Sequence, residues 1–181
     1  MNESFYGQSN TVEQYTPRFI WQRAEQVMGG IDCDPASDND FNVTTAKVHY
    51  TKRHDGLHQP WTGRIWLNPP FGNKVNDWFH KLSVEIAEGR TTEAVVLWKA
   101  ALETEGARVL IRIPAYKCSA VPRRRVSYNS GVKKQGGGDS SPFTTMLYYF
   151  GGNQDRFIKI FSEIADIWQP VIRLNPNRMI Q

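Results

Sequence analysis

Apolar runs of strand length recur along this 181-residue chain, and segments with helical periodicity separate them. The strand-like runs are "GIDC", "RIWLN", "EAVVLW" (Glu93–Trp98), "KCSAV" and "TTMLYYFG". From Pro17 to Met28, apolar residues at Ile20, Trp21, Ala24, Val27 and Met28 follow a helical period. Pro17 suits a first turn and Gly29-Gly30 a helix end. Asn73 to Glu88 is the clearest helix, with Val75, Trp78, Phe79, Leu82 and Ile86 on one face and Gly89 after it. Glu103–Ile111 is a shorter predicted helix. Asp155–Trp168 is a longer one, with Phe157, Ile158, Phe161, Ile164 and Ala165 sharing a face. The polar stretch 36–60 holds only short elements around Val43–Tyr50. Alternation of this kind predicts an α/β fold: a mostly parallel sheet, helices on both faces, in a single compact domain.

The expected organisation is a flexible polar segment over residues 1–14 and one domain over 15–181. No apolar run approaches a membrane span, and "MNESFYGQSN" lacks secretory architecture, so a cytoplasmic protein is expected. Cys33 and Cys118 have no ligand-type neighbours and His49, His54, His58 and His80 form no ligand pattern, so no metal is expected.

Charge is unevenly placed. The chain carries 22 Lys and Arg against 18 Asp and Glu. Eight of those cations, and no acid, lie between Gly106 and Gly138, so the remainder is net acidic. A segregated basic block points to a polyanionic partner, because neutralising phosphates releases counterions. A solvated loop would carry the same charges, and charge alone does not separate the two.

In doubly wound sheets, ligands sit at the carboxyl ends of the strands. Three turns occupy such ends: Asp34-Pro35, Asn68-Pro69-Pro70-Phe71 and Lys99 onward. The second has a specific use. An exocyclic amine on adenine is a poor nucleophile, because its lone pair is delocalised into the ring. The Asn68 side-chain oxygen and the Pro69 carbonyl form an acceptor pair able to hold both amine hydrogens and aim that lone pair at an electrophilic methyl group. Proline's fixed φ restricts where the local carbonyls point. Phe71 would stack on a base extruded from the duplex.

Asn68-Pro69-Pro70-Phe71 resembles the catalytic motif of S-adenosylmethionine-dependent amino-methyltransferases. The wider series "YTPRFI", "IDCDPAS", "HDGLHQPWTGRIWLNPPFG", "RVSY" and "SPFTTMLYYFG" is similar in order and spacing to phage-type (Dam-like) DNA N6-adenine methyltransferases, from Tyr15 to Gly151. The resemblance implies a Rossmann-like methyltransferase sheet, methylation of adenine N6 in DNA, and a phage or prophage setting in a bacterial cytoplasm. It implies that Tyr15-Thr16-Pro17 closes over the cofactor and that Asp34-Pro35-Ala36 lies beneath its methionine part. Asp55 would accept a hydrogen bond from the cofactor's adenine amine, with Gly56 and Leu57 beside it. Taken singly, Asp34-Pro35 and Asp55-Gly56 read equally as turns, and Thr16-Pro17 as a helix start.

One departure is visible. "DPASDND" replaces the Gly-rich loop of most cofactor-binding methyltransferases, and the phage-type group tends to lack that loop too. Asp38, Asn39 and Asp40 are weak candidates for the ribose hydroxyls. A core of this length leaves no separate recognition domain, so the basic insert 122–139 becomes the expected DNA contact. Arg123, Arg124, Arg125, Lys133 and Lys134 would meet phosphates, and an arginine or Asn129 would read a base edge. Other acceptors, cytosine N4, RNA adenine or a protein glutamine, share related motifs. Asn before the prolines favours adenine, and the basic block disfavours protein. A DNA-binding module on a degenerate methyltransferase fold is the alternative from a different class.

Overall fold

The computed structural model describes residues 16–37, 44–72, 74–126 and 143–170. Within them the chain forms strands β1 (Cys33–Asp34), β2 (Val48–His49), β3 (Gly63–Leu67), β4 (Thr91–Lys99), β5 (Tyr116–Pro122), β6 (Thr145–Phe150) and β7 (Ala165–Trp168). The helices are α1 (Arg18–Met28), α2 (Val75–Ala87), α3 (Glu105–Arg112) and α4 (Gln154–Phe161). The strands make one sheet in the order β2-β1-β3-β4-β6-β5-β7. Pairing is parallel from β2 through β4, and β6 and β7 run antiparallel to their neighbours. The α/β sheet is therefore mostly parallel, and it is compatible with a Rossmann-like methyltransferase fold. Among the described residues, no helix is long and apolar enough to cross a membrane.

The strand period sorts the core into two layers. Val95 and Leu97 of β4, with Leu147 and Tyr149 of β6, join the layer holding α1 and α4. Ala94, Val96 and Trp98, with Met146, Tyr148 and Phe150, join the layer holding α2 and α3. Helix α1 buries Ile20, Trp21, Ala24, Val27 and Met28, as its period requires. Tyr149 stacks on Phe157 at 5.0 Å, and Phe79 meets Trp98 edge-on at 5.4 Å. Burial pushes the Cys33 and Cys118 thiols up to about 12, so both pack as small apolar groups.

One element differs from expectation. The predicted helix over 155–168 stops at Phe161, and residues 165–168 form β7, antiparallel to β5. Ala165 is buried and Ile167 half-buried, alternating with exposed Asp166 and Trp168. Pairing covers an edge of β5 that would otherwise stand open, which outweighs continued helix. Arg123 secures the turn. Its Nη2 donates to the carbonyls of Ser162 (3.1 Å) and Ala165 (3.0 Å), and its Nε to Asp166 Oδ1 (2.9 Å).

At the opposite rim, Asp32 and Arg64 join α1, β1 and β3. Arg64 Nε and Nη2 grip the two carboxylate oxygens at 2.7 and 2.9 Å, and Arg64 Nη1 reaches the Gly29 carbonyl at 2.5 Å. Lys47 adds an ion pair at 2.8 Å. Gly63 makes room: its φ is +84°, and a Cβ there would lie 2.6 Å from Asp32 Oδ2. The Arg64 hydrogen bond holds the Asp32 carboxyl well below the usual carboxylate range, against a smaller opposing push from burial. A depressed carboxyl contributes stability above about pH 4 and loses it as pH falls further. Asp32→Asn should therefore lower the unfolding free energy at pH 7 by about 2 kcal/mol and flatten the decline below about pH 4. Urea titrations across that range check this, and parallel declines for both proteins would contradict it.

Candidate functional site

The chain runs from β1 outward to β2, then returns to β3 on the other flank of β1. That reversal puts a topological switch point at the carboxyl ends of β1 and β3, the crevice position at which open α/β sheets bind ligands. Asp34 ends one wall and Asn68 begins beyond the other.

Asn68 follows Leu67 directly as β3 leaves the sheet. Its Nδ2 donates to Thr16 Oγ1 at 3.0 Å. Thr16, 5% exposed, stands just ahead of α1. With its amino group committed, the Asn68 amide turns Oδ1 the other way, and that oxygen is buried with no hydrogen-bond partner among the described residues. A buried acceptor left open is costly unless something else supplies the donor. Pro69 is buried and Pro70 exposed.

Phe71 already has company. It stacks on Trp98 at 5.3 Å and 21°, and tilts against Phe143 at 5.1 Å. Lys99 Nζ lies 4.6, 5.4 and 5.8 Å from the Phe143, Trp98 and Phe71 ring centres. Trp98 and Phe143 escaped the sequence reading, and Lys99 entered it only as a strand end. Because β6 runs antiparallel to β4, its start lies at this rim, which brings Phe143, Thr144 and Thr145 to it. Strand direction is not legible in the local pattern.

The expected cofactor segments meet around the crevice. Asp34 is 3% exposed and shapes its own turn, accepting from the Ala36 amide (3.3 Å) and from Thr44 Oγ1 (3.0 Å). Against that turn lies Gly56, where a Cβ would sit 1.9 Å from the Pro35 carbonyl oxygen. The Gly56 carbonyl accepts from Trp61 Nε1 at 2.8 Å, and Trp61 stacks on Trp78 of α2. Asp55 adopts a left-handed conformation, φ 51°, and pairs through Oδ2 with His58 Nδ1 at 2.8 Å. Leu57 packs half-buried on the core, and Pro17 precedes α1 directly.

Arg124 and Arg125 are exposed past the end of β5, on the same rim but beyond β4 and β6. Arg123 is committed to the turn between α4 and β7. Tyr15, Asp38, Asn39, Asp40, Asn129, Lys133 and Lys134 lie outside the described residues.

The Gly56 contact is directly testable. Gly56→Ala forces a methyl group into the Pro35 carbonyl and should cost about 1–3 kcal/mol. Gly152→Ala, where nothing lies within 4 Å, should cost far less. Denaturant unfolding of both variants checks the contrast, and equal stability would contradict the close packing.

No curated protein matches this chain. A family model does. The model for DNA N-6-adenine-methyltransferase (Dam) matches residues 8–147, which take in the crevice, the Asn68–Phe71 turn, the arginine run and the start of β6. With most of its length matched, the chain belongs to the DNA N-6-adenine-methyltransferase (Dam) family.

Proposed function

We propose that this protein transfers a methyl group from S-adenosylmethionine to the N6 amine of an adenine flipped out of DNA, at a defined sequence. The observation that supports the proposal is the Asn68 amide, bound by Thr16 through Nδ2 while Oδ1 is buried with no hydrogen-bond partner among the described residues. Family membership supplies the reaction class, a DNA adenine N6-methyltransferase.

The residues around the crevice fit the cofactor. Asp55 keeps Oδ1 without a partner among the described residues, an acceptor for an exocyclic amine. Thr16-Pro17 stands at the amino end of α1, where partial positive charge suits a carboxylate. The Gly56–Pro35 contact holds the Asp55 and Asp34 segments together as one cradle. When bound, S-adenosylmethionine supplies a methyl group on a positively charged sulfur, ready for displacement.

The protein's own part is placement. Asn68 Oδ1 and the Pro69 carbonyl accept the two amine hydrogens, which favours a pyramidal nitrogen with its lone pair free. The amine nitrogen would take the methyl carbon as its bond to sulfur breaks and the neutral thioether leaves, and would then pass one proton to water, so no strongly basic side chain is needed. Excluding water from the site strengthens both hydrogen bonds. Stacking on Phe71 holds the extruded ring, and Arg124 and Arg125 meet the DNA backbone.

Transfer of labelled methyl from S-adenosylmethionine into duplex DNA, then digestion to nucleosides, tests this reading. Label is expected in N6-methyladenine within one sequence context. Asn68→Ala should lower the rate by about a hundredfold or more while leaving calorimetric cofactor binding intact. DNA binding without any cofactor binding would instead make the protein a binding module. Undiminished transfer by Asn68→Ala would overturn the role of the amide.

A further inference from the structure

A second feature of the same rim stands apart from the crevice. Thr145, the first residue of β6, is 3% exposed, yet its Oγ1 is buried with no hydrogen-bond partner among the described residues. It lines a cavity of about 160 Å³ with Arg124, Arg125, Val126 and Thr144. That is room for about five waters, the scale of one phosphate with some hydration. Arg124 and Arg125 are exposed and make no hydrogen bond or ion pair among the described residues. Arg123 borders the cavity too, but its guanidinium is bound to the α4–β7 turn.

The strand register turns Thr145 to the α1 and α4 face of the sheet, and Lys99 links this cavity across the rim to the aromatic cluster on the other face. Thr145 pairs directly with Lys99 in the β4–β6 ladder. Residues directly opposite in an antiparallel pair share a face, with Cβ atoms about 5 Å apart. Lys99 in turn holds its ammonium over Phe143 and Phe71. Phe143, two residues before Thr145, touches Phe71 itself.

We propose that Thr145, Arg124 and Arg125 seat a single phosphate of the DNA backbone, the one flanking the flipped nucleotide. This rests on DNA being the substrate. The chemistry selects phosphate: guanidinium forks match its oxygens in pairs, and a buried hydroxyl supplies a directed donor. Position separates the seat from the cofactor, which the crevice between β1 and β3 would hold. The arginine run thus divides by role. Arg123 braces the fold, and its two successors take the anion.

Thr145→Val keeps the β-branched shape and removes the donor. Its affinity for duplex DNA is expected to fall about tenfold or more, with calorimetric binding of S-adenosylmethionine and the melting temperature unchanged. Arg124→Gln with Arg125→Gln should reduce the slope of log affinity against log salt by about 0.9, the change for one phosphate. A duplex with a neutral methylphosphonate beside the target adenine should bind wild type and Thr145→Val equally. Overturning results are wild-type affinity in Thr145→Val, or an undiminished loss on the methylphosphonate duplex. Inorganic phosphate bound by wild type but not by Thr145→Val, with DNA affinity equal in the two, would make it a free-anion site and also overturn the proposal. If wild type methylates no adenine while Thr145→Val still loses DNA affinity, the seat stands and the catalytic reading falls.

Discussion

The crevice depends on two short strand ends lying side by side, and the Asp32–Arg64 pair is what aligns them. Strand β1 is only two residues long and makes a single ladder pair with β3, Cys33 with Ile65. Ladder hydrogen bonds alone would define its register weakly. Asp32 adds a backbone hydrogen bond to the Arg64 carbonyl at 2.8 Å, and its carboxylate takes both the Arg64 amide and the guanidinium fork. The same arginine grips the carbonyls at the end of α1. One bidentate pair thus sets β1, β3 and α1 relative to one another. Asp34, Asn68 and Thr16 inherit their positions from it, at the far ends of those three elements.

The site then works by commitment and omission. Thr16 commits the amino side of the Asn68 amide, so its oxygen is the group left open. The carboxylate of Asp34 commits one oxygen to the Ala36 amide of its own turn and the other to Thr44 Oγ1, so it ties that turn to the segment entering β2. Asp55 commits one oxygen to His58 and keeps the other. Phe71 commits one face to Trp98. Asn68, Asp55 and Phe71 thus each have one group or face taken up by the fold and another left over. In the proposed reaction such preorganisation spares the acceptors any rearrangement on binding the amine.

Much of this was legible before any coordinates. Helical and strand periods located α1, α2, β3, β4 and β6, because those segments bury one or two faces completely and the period survives in the residues. Asn68–Phe71 was legible because two prolines and an aromatic after a strand are chemically unusual. The end of the chain was misread. Four residues of period two, 165–168, extend a helical face just as well when Ile164 and Ala165 are counted with it. Only the open edge of β5 and the reach of Arg123 decide for a strand, and both are tertiary. Trp98, Phe143 and Thr145 were hidden for a related reason. Their place at the rim follows from the direction of β6, which no local pattern encodes. Arg123 looked identical to Arg124 and Arg125 in sequence, and only the α4–β7 turn separates it from them.

The central claim is that the open oxygen of Asn68 receives the target amine. A crystal structure with duplex DNA and a non-transferable analogue of S-adenosylmethionine tests it most directly. The account predicts an extruded adenine stacked on Phe71, with N6 within hydrogen-bonding distance of Asn68 Oδ1 and the Pro69 carbonyl, and Thr16 still holding Nδ2. An adenine retained in the helix, or an N6 amine facing other groups while Asn68 Oδ1 remains without a donor, would contradict it.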